Sequence, residues 1–178
     1  MIAGAHAVLW VRQDGTGNDA CRFAETEKGF LIDGASTGAD GTVRKYRIRT
    51  RDDGTTRRVR IGQKSRLVAR RKRDGSWTLN DTAVPAVTGA TDIALEFTPA
   101  TFTLPLRRLK LKIGQEAEIL AAKLDVAAGR LEPLQMMLKR VSEAEYDCAE
   151  TETGRGARIT VDPEKIVQVH EGHWIAQD

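Results

Sequence analysis

An arginine pair beside prolines and threonines is the part of this chain best suited to bind a polar ligand. Residues 97–109 contain the following hydroxyl and guanidinium side chains: Thr98, Thr101, Thr103, Arg107 and Arg108. Guanidinium groups donate paired hydrogen bonds and therefore suit oxygen-rich anions or polyols. The two arginines could instead donate to carbonyl groups at a helix end or to an acid such as Glu96. On residue chemistry alone the structural role is favoured, and ligand contact stays open.

The two histidines near the C-terminus raise the question of a metal site. His170 and His173 are three residues apart, which places them on one face of a helix but on opposite faces of a strand. Gly172 and the strand-like run before it indicate a strand end, and no third ligand accompanies the pair. Zinc needs a fuller ligand set. We expect a solvated C-terminal tail with Trp174 folded back, and no metal.

No other residues form a catalytic constellation. Cys21 and Cys148 are distant from each other, and His6 is the one histidine outside the C-terminal pair. A reactive cysteine needs a base beside it, so buried structural thiols are favoured. The run Gly15-Thr16-Gly17 lies in a turn without a strand–helix–strand unit, which argues against a phosphate loop. The sequence therefore predicts a protein that is not an enzyme and has no cofactor.

A strongly basic region lies between positions 44 and 73. It contains fourteen lysines and arginines, against which stand only Asp52 and Asp53. Such a region could bind phosphates of nucleic acid or of a membrane surface. Tyr46 is the only aromatic residue among these basic residues. It lies on the apolar face of its strand, so base stacking is not indicated. The favoured interpretation is a charged outer face that blocks edge aggregation; an anionic partner remains the alternative.

Short alternating segments separated by turns dominate the chain. At 43–50, Tyr46, Ile48 and Thr50 share one face and basic residues share the other, which is typical of a half-buried strand. Asp53-Gly54 predicts a hairpin turn, as does Asp74-Gly75. Turns are also expected at 62–65 and a loop at 80–89. About a dozen such segments predict one all-β domain spanning residues 1–178.

Three segments are exceptions to this pattern. Residues 99–109 predict a short helical segment, poorly regular before Pro105, because Thr98 can cap and Pro99 suits a first helical position. Thr103 could cap a second start, which would place Pro105 in a tolerated first turn. Residues 116–125 and 131–147 are ambiguous, since composition favours helix and the neighbouring sequence favours strand.

Composition limits the class of protein. The chain has 178 residues, a net charge of +3 and 40% hydrophobic residues, which suits a globular domain. No run approaches 18 apolar residues, so we expect no membrane span. The first ten residues lack the basic start of a signal peptide. A cytoplasmic location with reduced thiols is expected.

The central stretch resembles the signature of a bacterial family called Putative glycolipid-binding. Thr98-Pro99-Ala100-Thr101-Phe102-Thr103-Leu104-Pro105-Leu106-Arg107-Arg108-Leu109 is similar to the family's run T-P-x-T-N-T-L-P-I-R-R-L. Other features fit in order along nearly the whole chain: Trp10, the 18–22 segment, Gly75-Ser76-Trp77, Asp92, Val161-Asp162 and Trp174.

The resemblance implies a mainly β fold, namely a spiral β-roll of long intertwined antiparallel hairpins wrapped around one short central helix at about 99–109. It also implies strands at 116–125 and 134–141, a homodimer, and a glycolipid or lipid-like ligand held in a cleft without a known reaction. The residues expected to contact that ligand are Thr98, Thr101, Thr103, Arg107, Arg108 and Trp77. Nucleic acid is not the expected partner.

The chain departs from the family pattern at polar positions. Phe102 replaces the usual asparagine, Asn18 and Asp19 stand where a His-Glu pair is common, and Gln135-Met136-Met137 replaces a segment that usually carries tyrosine. If these positions contact a headgroup, the preferred ligand has shifted toward something more apolar.

Overall fold

The computed structural model describes residues 4–62 and 66–177. Within these residues the chain forms one sheet of fifteen strands, a 3-10 helix at Pro85–Val87, a 3-10 turn at Pro99–Phe102 and one α-helix, α1 (Thr103–Leu109). The strands are β1 (Ala5–Arg12), β2 (Asn18–Thr26), β3 (Gly29–Thr37), β4 (Val43–Thr50), β5 (Thr56–Ile61), β6 (Leu67–Arg71), β7 (Trp77–Leu79), β8 (Thr82–Ala83), β9 (Asp92–Ala94), β10 (Glu116–Asp125), β11 (Arg130–Arg140), β12 (Glu145–Glu150), β13 (Gly156–Val161), β14 (Val167–His170) and β15 (Trp174–Gln177). Most of the turn predicted at 62–65 lies outside the described residues.

The two ends of the chain meet in the middle of the sheet. Strands β1 to β8 follow one another as a meander, β10 to β15 form a second meander, and β9 lies at the edge beside β10. The halves join where β1 pairs antiparallel with β15, with Arg12 opposite Trp174. The parallel pair is β9 with β10, where Asp92 lies opposite Ala121. The mainly β roll expected from the sequence is confirmed.

The sheet curls until its edge strand β9 approaches β5. The Thr56 amide donates to the Thr91 carbonyl at 2.9 Å, and the Ile93 amide donates to Thr56 Oγ1 at 3.1 Å. Among the described residues the sheet is not closed into a barrel. The curl encloses the segment 95–109, so the short helix lies inside the roll.

Alternating side chains from both meanders fill the interior. Trp10 and Phe23 are fully buried and pack edge to face with ring centres 6.0 Å apart. The Trp10 indole N–H donates to the Val167 carbonyl at 2.7 Å, which satisfies its buried polar atom. These contacts hold the chain's first strand against its last hairpin.

The central helical segment is confirmed with the irregularity expected from its prolines. Thr98 Oγ1 accepts a hydrogen bond from the Ala100 amide at 3.0 Å and caps the 3-10 turn. Helix α1 begins at Thr103, which leaves Pro105 in the first turn, where it removes no helical hydrogen bond. Its C-cap Lys110 adopts a left-handed conformation with φ of 48°.

Two expectations need correction. The C-terminal residues are not a solvated tail, because Trp174–Gln177 form β15 between β14 and β1. Trp174 itself is buried, as expected. Pairing on both sides satisfies the backbone of these residues, which a solvated tail would leave to water. The predicted loop at 80–89 contains β8 and the Pro85–Val87 3-10 helix. No helix in the described ranges is long and apolar enough to cross a membrane.

Candidate ligand-binding cavity

A buried hydrogen-bond network anchors the start of the central segment to the first meander. Thr98 Oγ1 donates to Asp19 Oδ2 at 2.5 Å, and the Tyr46 hydroxyl donates to the same oxygen at 2.7 Å. Ser36 Oγ donates to the Phe97 carbonyl at 2.7 Å. The signature threonine Thr98 is therefore held by β2 and β4.

Burial controls the ionisation of this network. It raises the pKa of Asp19 to about 6, although hydrogen bonds from Thr98 and Tyr46 act in the opposite direction. It also raises the pKa of Tyr46 well above 10.0, and it raises the pKa of the nearby Cys21 thiol. Asp19 Oδ1 is buried and accepts no hydrogen bond from the described residues.

The two signature arginines, at the other end of the segment, pair with acids on two different strands. Arg107 pairs with Glu25, donates to the Glu164 carbonyl at 2.8 Å and lies 4.6 Å from the centre of the Phe30 ring. Arg108 Nη2 lies 2.5 Å from Asp92 Oδ2 on β9. Each arginine thus joins α1 to a different part of the roll.

A cavity of about 630 Å³ lies between the central segment and the inner face of β9 to β14. Its apolar walls include Ile93, Leu95, Phe102, Leu134, Met136 and Cys148. Its polar lining includes Arg12, Lys123, Glu150, Arg155, His170 and His173. The volume falls in the range of small-molecule sites, roughly 300–1,000 Å³. A lining that contains both apolar and polar side chains suits an amphiphile.

Residues at the ends of three strands line one part of the cavity. Arg12 ends β1, Trp174 begins β15 and His170 ends β14, and all three line the cavity. The Arg12 guanidinium lies 4.7 Å from the centre of the Trp174 ring. The His170 ring lies 4.9 Å from Phe102 and 4.5 Å from His173. We call Arg12, His170, His173 and Trp174 the polar mouth.

Two titratable side chains of the cavity, His170 and Cys148, are held in their neutral forms. Burial, and then the charge of His173, lowers the pKa of His170 to about 4. His170 Nδ1 is buried without a hydrogen-bond partner among the described residues. Burial raises the pKa of Cys148 to about 12, so its thiol forms part of an apolar wall. Near neutral pH both side chains are uncharged.

A second cavity of about 520 Å³ lies against α1. It is lined by Arg51, Arg107, Arg108, Lys110 and by acids that include Glu25 and Asp53. Since Arg107 and Arg108 are already paired with Glu25 and Asp92, much of its cationic lining is neutralised.

The six residues expected to contact a ligand are divided among three places. Thr98 and Thr101 line the larger cavity, and Arg107 and Arg108 line the smaller one. Thr103 and Trp77 belong to neither described lining. Thr103 is fully buried, and the Trp77 indole N–H donates to the Ala90 carbonyl at 3.0 Å.

Several lining residues were not singled out as ligand contacts from the sequence. Arg12, Arg155 and Lys123 were not considered there, and the pair His170 and His173 was assigned to a tail. Lys123 Nζ lies 2.5 Å from Glu96 Oε1 at the cavity. For Lys123 a signal was available, because it shares one face of β10 with the apolar residues Ala117, Ile119 and Ala121.

Cys21 and a group of three side chains with metal-ligand atoms lie outside this site. Cys21 and Cys148 are both buried and free, as expected of structural thiols. His6, Asp162 and Glu164 place their ligand atoms within 4.8 Å of one another at a partly buried position. His6 Nε2 lies 3.8 Å from Asp162 Oδ2, beyond a direct hydrogen bond.

Comparison with known proteins identifies the family of this chain. Residues 7–175 match the model of the family described as "Putative glycolipid-binding". The chain belongs to this family. In this family member the signature threonine Thr98 lines the larger cavity and the signature arginines line the smaller one.

One solved structure supports the fold. The crystal structure of a DUF1089 family protein from Pseudomonas aeruginosa superimposes with a TM-score of 0.67. The two chains are 24% identical, and the match covers 97% of this chain and 91% of that one. No curated protein matches this chain.

Proposed function

We propose that this protein binds a small amphiphile of the glycolipid class in the larger cavity and leaves it chemically unchanged. The observation that carries the proposal is one cavity of about 630 Å³ with apolar walls and a polar mouth. Membership of a family described as binding glycolipids supports the same ligand class.

In this proposal the apolar tail lies along Leu95, Leu134 and Met136. The headgroup lies at the polar mouth, where Arg12 donates hydrogen bonds and His173 can donate or accept them. Thr98 and Thr101 line the cavity beside the central segment. Phe102, in place of the usual asparagine, extends the apolar wall, which favours a ligand with a small headgroup.

Binding without catalysis is supported by the protonation states of the lining. A pKa of about 12 keeps Cys148 a neutral thiol, whereas a cysteine nucleophile reacts as the thiolate. The ion pairs of Arg107 and Arg108 support a structural role for both. Arg107 and Arg108 contact a ligand only if the ligand occupies the smaller cavity.

Calorimetric titration with octyl glucoside tests the proposal. The wild-type protein should bind octyl glucoside, and glucose or octanol alone should bind more weakly because each engages one part of the cavity. Ala157→Trp places an indole in the cavity and should raise the Kd by about tenfold or more.

Ala20→Trp is the matched control, because Ala20 is exposed on β2. It should leave the Kd unchanged. Equal binding by wild type and Ala157→Trp, with both folded, would contradict the location, and binding of none of these probes would contradict the ligand class.

The homodimer and the cytoplasmic location stay predictions. Leu9 and Ile175 are 42% and 39% exposed on the outer faces of neighbouring strands β1 and β15, which supports an apolar contact there. Light scattering should show a wild-type dimer that Leu9→Glu dissociates. A monomeric wild type would refute the dimer.

A further inference from the structure

Arginines lie directly opposite one another on the outer face of β4, β5 and β6. Arg49 pairs in register with Arg58, which pairs with Arg70 on the next strand. Arg47 lies opposite Arg60. We call these five residues the arginine ladder.

The ladder has few compensating charges. Asp33 pairs with Arg47, and Asp81 pairs with Arg70. Within the described part of the chain, Arg49, Arg58 and Arg60 have no carboxylate at ion-pair distance. Like charges directly opposite in a sheet destabilise it. The folded protein therefore maintains positive charges that oppose its own stability.

Crowding also leaves hydrogen-bonding capacity unused in the ladder. The Nε atoms of Arg58 and Arg60 are buried without a partner among the described residues. Burial, and then the neighbouring arginines, lowers the pKa of Arg58, which shows the cost of holding its charge there. An oxyanion placed over the ladder would relieve the repulsion between its charges.

Protection of a sheet edge does not explain the ladder. Charged residues block aggregation on edge strands. In this sheet the edges are β8 and β9, and β4 and β5 are interior strands paired on both sides. Of the interpretation favoured from the sequence, the charged outer face is present, and the protection of an edge does not apply to these two strands.

We propose that the arginine ladder docks on the surface of an anionic lipid bilayer. Its guanidinium groups project from one face of a continuous sheet, and guanidinium forks bind phosphate oxygens in pairs. A layer of anionic headgroups complements these cations in charge.

Nucleic acid fits this face less well. The one aromatic residue of β4 to β6 is Tyr46, which is 2% exposed on the inner side, so no ring is available for base stacking in the described strands. Helix α1 lies inside the roll and cannot enter a groove. The ladder is also separate from the lining of the larger cavity, so the proposal does not rest on the amphiphile.

Vesicle cosedimentation tests the proposal. The protein should sediment with vesicles of phosphatidylglycerol mixed with phosphatidylcholine, should not sediment with pure phosphatidylcholine, and should be released by salt. Arg58→Gln/Arg60→Gln should weaken binding roughly 20-fold. The same variant should keep or raise the Tm, because it removes opposed like charges.

Lys112→Gln/Lys139→Gln is the matched control, since it removes two exposed positive charges elsewhere. It should change vesicle binding about twofold or less. Equal losses in both double variants, equal binding to neutral vesicles, or binding to nucleic acid but not to anionic vesicles would each overturn the proposal.

Discussion

Arg108 on helix α1 and Asp92 on edge strand β9 form an ion pair of 2.5 Å inside the roll. Their side chains are 17% and 2% exposed. Arg108 Nη2 also donates to Thr91 Oγ1 at 3.0 Å. The pair therefore ties the central helix to the strand that lines the larger cavity.

Removing Arg108 should destabilise the whole fold. Arg108→Ala leaves the Asp92 carboxylate buried without its cation, which costs about 3 kcal/mol in the free energy of unfolding. Urea unfolding measures the change. Arg130→Ala breaks the exposed pair with Glu132 and should cost less than about 1 kcal/mol. Similar values for the two variants would show that the Arg108 pair has no special structural role.

Asp19 should make the protein more stable as the pH falls toward 4. Because the folded pKa of about 6 exceeds the ordinary 3.8, the folded state binds the proton more tightly. Its contribution is therefore most favourable below 3.8 and is lost as the pH rises to about 6. The unfolding free energy of wild type relative to Asp19→Asn should fall over that window, by up to about 3 kcal/mol. A pH-independent difference would contradict this assignment.

His170 should have the opposite pH dependence. Its folded pKa of about 4 lies below the ordinary 6.5, so the unfolded state binds the proton more tightly. Its contribution is present above 6.5 and is lost as the pH falls to about 4. NMR titration of the imidazole should find a midpoint well below 6.5. The unfolding free energy of His170→Phe should lack the loss that His170 causes as the pH falls from 6.5 to about 4. A midpoint near 6.5 would show that the ring is solvated.

The strands were predictable where the local pattern and the burial agree. The alternation at 43–50 gave the bounds of β4 because its inner residues, such as Tyr46 and Ile48, face the core. At 116–125 the composition favours helix, yet the segment is β10, since pairing with β11 and burial of Ile119 outweigh the local propensity. The neighbouring sequence favoured a strand there and the family resemblance implied one, whereas the composition did not.

Long-range pairing explains what the sequence did not reveal. Strand β15 has only four residues, and its partner β1 lies at the other end of the chain. That pairing brings Arg12 and Trp174 together and, through β14, His170 as well. Thr98 and Thr101, which line the larger cavity, could be singled out because the signature is local, whereas the polar mouth is built from separate strand ends that no local pattern connects.

The most direct measurement of the central claim is a crystal structure of the protein grown with octyl glucoside. The alkyl chain should lie between Leu95, Leu134 and Met136, with the glucose ring at Arg12 and His173. Detergent bound only elsewhere on the protein, with the larger cavity containing water alone, would contradict the proposed site.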